Sequence, residues 1–142
     1  YAVDRAIARM ALNPKVQCCV NAGGDLRIVG PRAERVLLRV APTDGMVPVV
    51  ELENGSIASS SGRENRKKQG RQTVGPHVDT RHRRAMGTRS FVSVIAPTCF
   101  DADALTKVVL ALGTRSEEVL RAFGAVAYVN AGRGWRTLGA VS

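Results

Sequence analysis

The order of hydrophobic patterns constrains this chain most. One helical stretch comes first, then a succession of short β-type runs broken by turn signals, then helix and strand again. Val3, Ala6, Ile7, Met10 and Ala11 share one helical face, which predicts a helix from about Tyr1 to Leu12, stopped by Asn13-Pro14. Val16 to Asn21 and Leu26 to Val29 read as a hairpin turned by Gly23-Gly24-Asp25. Arg35 to Val40 and Val47 to Leu52 are two further strands, and Asn54-Gly55 is a tight-turn signal across which Ser56 to Ser59 would pair back. Ser60 to Gly75 is polar and basic and reads as a long loop. Ser90 to Ala96 alternates as a strand that Pro97 ends. Thr98 and Asp101 form a capping-box-like start, with aspartate in place of the usual glutamate, for a helix that runs to Leu112 and stops at Gly113. Ser116 to Phe123 is a shorter helix; Ala125 to Asn130 and Trp135 to Val141 close the chain as strands. The expected class is α+β, a mostly antiparallel sheet with packed helices, in one domain over residues 1–142.

Composition narrows the function classes. No apolar run approaches the roughly eighteen residues of a membrane-spanning helix, and the opening Tyr1-Ala2-Val3-Asp4 has no basic-then-apolar leader. It reads as a piece of something longer. Cys18, Cys19 and Cys99 have no zinc-like spacing and read as free thiols. The net charge is +9, and residues 63–90 carry +7 of it, nine basic residues against Glu64 and Asp79. So local an excess suggests a polyanionic ligand near one loop. Binding of nucleic acid by charge alone is one reading, but RNA modules interleave aromatics with basic residues, and here the nearest aromatic is Phe91, at the edge.

The residues with most chemistry are Asp103, Thr106 and Lys107, a carboxylate, a hydroxyl and an ammonium within one helical turn. Such a group can hold a metal and a phosphate, or be a helix-surface salt bridge worth a few tenths of a kcal/mol. On these residues alone the salt bridge is the better reading. His77-Val78-Asp79 and His82 lie in the basic segment, where a histidine can be a base for a hydroxyl or simply a solvated side chain. The glycines of Asn21-Ala22-Gly23-Gly24-Asp25 permit close backbone approach, but the P-loop lysine is missing and a hairpin turn is the preferred reading.

Taken in order, YAVDRAIARM, VNAGGDLRIVG, IASSSG, the PHVD segment and SVIAPTCFDADALTKVVLALG resemble the ApbE family, the FAD:protein FMN transferases. The resemblance implies an ApbE-like fold, here as the C-terminal portion of a domain whose N-terminal half is absent. It implies FAD as substrate, Mg2+, and transfer of FMN to a threonine of a partner protein with release of AMP. By resemblance, Asp103 is a metal ligand. The family's threonine ligand falls four residues later, where this chain has Lys107, so Thr106 is the remaining hydroxyl candidate. Lys107 would pair with Asp103 or contact the pyrophosphate. His77 is the implied base, although the Pro, Thr and Gly of the family's histidine motif are replaced by Thr80, His82 and Arg83. Ser59, Ser60, His77, Val78, Asp79 and Lys107 are the expected cofactor-binding residues, and the basic loop would face the pyrophosphate. A degenerate FAD-binding module without transfer is the alternative. The sequence leaves open whether a second copy, as a homodimer, completes the site.

Overall fold

A computed structural model describes residues 1–13, 15–38, 47–62, 66–79, 82–86, 90–132 and 134–139, apart from the side chains of Gln69 and Gln72. The chain opens with α1 (Ala2–Met10), followed by β1 (Cys18–Ala22), β2 (Asp25–Val29), β3 (Glu34–Leu37), β4 (Val49–Leu52) and β5 (Ser56–Ser61). The basic segment follows as β6 (Lys67–Gln69), β7 (Gln72–Val74), β8 (Val78–Asp79) and β9 (Arg84–Ala85). Then come β10 (Phe91–Ala96), α2 (Cys99–Leu112), a 3-10 turn (Gly113–Ser116), α3 (Glu117–Ala122), β11 (Val126–Asn130) and β12 (Trp135–Leu138). No helix among the described residues is long and apolar enough to cross a membrane.

The main sheet has the order β1-β2-β5-β10-β11-β12, and every pairing is antiparallel. The expected α+β class with a largely antiparallel sheet is what the chain forms. Alternation along the central strands gives the sheet two working faces. Ala58, Val92, Val94, Ala96 and Ala127 face the helices, where Ala102, Leu105, Val109 and Leu120 close a core over them. Ile28 and Ile57 face the other way, onto Leu38, Val50 and Leu52 beside the small β3-β4 sheet. Helices, main sheet and small sheet therefore make three layers.

Two expectations are corrected. Ser56 to Ser59 do not pair back across Asn54-Gly55. Instead β4 pairs with β3, and β5 is a central strand between β2 and β10. Asn54 adopts a positive φ of 47° and carries the chain from one layer to the next, its side-chain oxygen accepting from Gly30 N–H at 3.0 Å. Ser60 to Gly75 is not a plain loop either. Ser60 and Ser61 belong to β5, and β6 and β7 form a hairpin turned at Gly70, where φ is 61°. The described side chains of this two-stranded ribbon are mostly polar and exposed, which hides it from hydrophobic patterning.

The helix that positions the site is anchored at its first turn. Thr98 caps α2, accepting from Asp101 N–H at 3.1 Å. From α1, Asp4 accepts the backbone N–H groups of Cys99 and Phe100, each at 2.9 Å, and also pairs with Arg27 of β2. Donors at a helix start have no partner inside the helix. Here two different segments supply acceptors, so α1, β2 and α2 are tied at one point.

Candidate functional site

Helix α2 sorts its side chains by face. Ala102, Leu105, Thr106 and Val109 are buried toward the sheet, whereas Asp103 and Lys107 stand outward at about half exposure. The i, i+4 spacing brings the Lys107 ammonium onto the Asp103 carboxylate, where they form a hydrogen-bonded ion pair. Thr106 goes the other way. Its hydroxyl, fully buried, donates to the Asp103 backbone oxygen at 2.7 Å and joins Ser60 of β5, also at 2.7 Å.

Over the outer face of α2 lies the segment that carries His77. The Met86 N–H donates to the His77 backbone oxygen at 2.8 Å, which closes the β8-β9 ribbon. Pro76, His77, Val78 and Met86 on this side, with Lys107 and Val108 on the helix, line a mostly apolar cleft of about 630 Å³. Three expected cofactor-binding residues, His77, Val78 and Lys107, thus converge on one cleft, with Asp103 paired to Lys107 beside it. Asp79 lines an adjoining cleft of about 290 Å³ with Arg84. Its carboxylate holds His82, with the ring Nδ1 at 2.7 Å and the backbone N–H at 3.2 Å.

The two serines divide. Ser60 lies beneath α2, bonded to Thr106. Ser59, the residue before it, points to the opposite face of the sheet, meets Ser93 at 2.6 Å and lines a separate cleft of about 310 Å³ with Asn21, Gly23, Gly24 and Phe91. Strand alternation alone keeps Ser59 out of the His77–Lys107 cleft.

Sequence reasoning passed over Asp25, the carboxylate that follows the glycine turn. Gly23 and Gly24 take positive φ values of 68° and 103°, as a two-residue hairpin turn demands, and Asp25 opens β2 directly after them. Burial raises its pKa above the usual 3.8, and the Asp103 charge raises it further, while Lys107 opposes them. Asp25, Asp103 and Lys107 are therefore electrostatically linked, across segments far apart in sequence. The same carboxylates bear on Cys99. Burial first, then Asp25 and Asp4, push its thiol up to about 11.

The magnesium that the resemblance implies can be tested against these donors. A hard cation takes oxygen ligands in a near-octahedral shell. The Lys107 ammonium occupies one oxygen of the Asp103 carboxylate and places a positive charge where a cation would sit, and the Thr106 hydroxyl is committed to Ser60 and to backbone. Among the described residues no three His, Cys, Asp or Glu side chains cluster in a way that could hold a metal ion. As folded, this donor set does not fit a divalent cation.

The class defined by fold and site is a three-layer α+β domain whose longest helix carries an acid–lysine pair under a histidine-bearing ribbon. A sequence profile of the ApbE family matches residues 1–129, and the chain belongs to that family. Solved structures agree on the fold. The ApbE protein of Thermotoga maritima superposes with a TM-score of 0.81 at 22% identity, over 96% of this chain and 47% of that one. The apo flavinyl transferase ApbE of Pseudomonas stutzeri gives 0.65 at 20% identity, over 100% and 50%. The flavin transferase ApbE of Vibrio cholerae gives 0.52 at 19% identity, over 84% and 40%. The chain spans about half the length of the first two of these structures. No curated protein sequence matches it significantly.

Proposed function

We propose that this chain forms part of an FAD:protein FMN transferase. The observation that carries the reading is the meeting of His77 and Lys107 on one apolar cleft, in a member of the ApbE family. Two solved relatives of the same fold are described as flavin or flavinyl transferases. In this reading the apolar lining takes the flavin side of FAD, and the ammonium faces the pyrophosphate. A threonine hydroxyl of the acceptor protein attacks the phosphorus on the FMN side. The bond between the two phosphates breaks, AMP leaves with its electron pair, and His77 takes the hydroxyl proton. The protein's part is positioning and charge, because the substrate already holds the reactive bond. The resemblance would put magnesium on Asp103 and Thr106, but as folded those donors are held by Lys107, Ser60 and backbone, so the reading does not depend on it. A second reading is favoured by the Asp103–Lys107 pair itself: a module that holds FAD but does not cleave it.

The test is the full-length protein incubated with FAD and a threonine-bearing acceptor protein, with AMP and FMN followed by chromatography and flavin on the acceptor followed by mass. Cleavage is expected, and His77→Ala should lower it by about a hundredfold or more while FAD still binds. Binding without any AMP, with or without added divalent cations, would leave only the binding module.

A further inference from the structure

We propose that Lys107 is the resident cation of this site, an ammonium built into the chain that does the work of a divalent ion on a phosphate or pyrophosphate group. The inference deepens the flavin reading and rests on it for the identity of the ligand.

Three observations carry it. The first is position. Lys107 is bonded to Asp103, the carboxylate the resemblance assigns to the metal, and it also lines the cleft shared with His77. Its charge lies where a phosphate entering the cleft would meet it. The second is the fate of the other oxygen donor. Thr106 is fully buried, its hydroxyl shared between Ser60 and the Asp103 backbone oxygen. Recruiting it would break its buried bond to Ser60 of β5. The third is capacity. A lysine ammonium has three donors, and Asp103 takes one of them, which leaves two for phosphate oxygens. At about half exposure, Lys107 can reach a ligand without leaving a buried pair behind it. The helix under it is fixed at its first turn by Thr98 and Asp4, so the ammonium is presented from a rigid element.

Binding measured with and without a chelator tests this. Inorganic pyrophosphate and FAD are titrated separately into the full-length protein and into Lys107→Met, each in EDTA and in magnesium. The wild type should bind equally well in both solutions, and Lys107→Met should lose about tenfold or more in EDTA. Lys107→Met removes a surface pair only, so its fold should hold, which a far-ultraviolet spectrum checks. Wild-type binding that vanishes in EDTA overturns the proposal. So does Lys107→Met binding like the wild type in EDTA, or a wild-type site that fills with micromolar Mn2+ by paramagnetic resonance. If pyrophosphate binding depends on Lys107 while FAD never binds, the flavin reading fails and Lys107 stands. If FAD is bound and cleaved regardless of Lys107, the reverse holds.

Discussion

Asp4 and Asp103 are both aspartates held by a basic side chain, and both bear on helix α2, but they differ in how completely they are satisfied. Asp4 is 17% exposed and accepts two backbone N–H groups besides Arg27. Burial pulls its pKa upward, yet the Cys99 and Phe100 N–H groups and Arg27 outweigh that and leave it lowered. Asp103 is 47% exposed, and among the described residues its carboxylate is bonded to Lys107, on its own helix. The first carboxylate is part of the frame. The second can exchange its partner at small cost, as a group that must meet a charged ligand should.

Replacing each with alanine should separate them most widely. Asp4→Ala leaves two helix-start donors and a mostly buried guanidinium without their acceptor, and should cost about 2–3 kcal/mol. Asp103→Ala should cost no more than about 0.5 kcal/mol. Urea unfolding of the two variants measures both. Equal losses would erase the distinction between frame and site.

The middle of α2 offers a finer break. Thr106→Val keeps the shape and removes the hydroxyl, which leaves the buried Ser60 oxygen unpaired, so a loss of about 1–2 kcal/mol is expected. Ser60→Ala added to it should recover part of that loss, because the orphaned group goes too. A double-mutant cycle by urea unfolding reads the coupling. A coupling near zero would mean that the hydroxyl is not committed to the sheet and remains open to a ligand.

Much of the frame was legible in the sequence. Thr98 and Asp101 announce the start of α2, and Ala102, Leu105 and Val109 mark its buried stripe. Thr106 belongs to that same stripe, so its burial could have been read from spacing once the apolar neighbours were given priority over the metal pattern. Central strand β5 was harder. Its serines look like a turn or an edge, yet Ser56 and Ser60 are buried, and Asn54-Gly55 mimics a hairpin while it changes layers. The meeting of His77 with Lys107 depends on how the β8-β9 ribbon lies over α2, a tertiary placement that local pattern does not encode. The division of Ser59 from Ser60 follows from strand alternation, but only after the strand is known.

Asp25 and Asp4 supply the smallest and sharpest contrast, because they titrate with opposite signs. Asp4 has a folded pKa below its ordinary 3.8. Its stabilisation is complete above about 3.8 and is lost as pH falls through the lower folded value. Asp25 has a folded pKa above 3.8. Folding is therefore penalised once the pH exceeds that value, and the penalty is relieved as pH falls through it toward 3.8. Asp25→Asn removes the penalty without touching Asp4. Thermal melts between about pH 7 and pH 3 should show the variant at or slightly above the wild type near neutrality. Its stability should lack the wild type's small gain on mild acidification, and the steep loss at the acid end should remain in both. Lys107→Met should enlarge the Asp25 effect, because the ammonium is one of the charges that lower the Asp25 pKa. If the wild-type profile is flat above pH 4 and Lys107→Met leaves it flat, Asp25, Asp103 and Lys107 are not one electrostatic unit, and the site shrinks to a single surface ion pair.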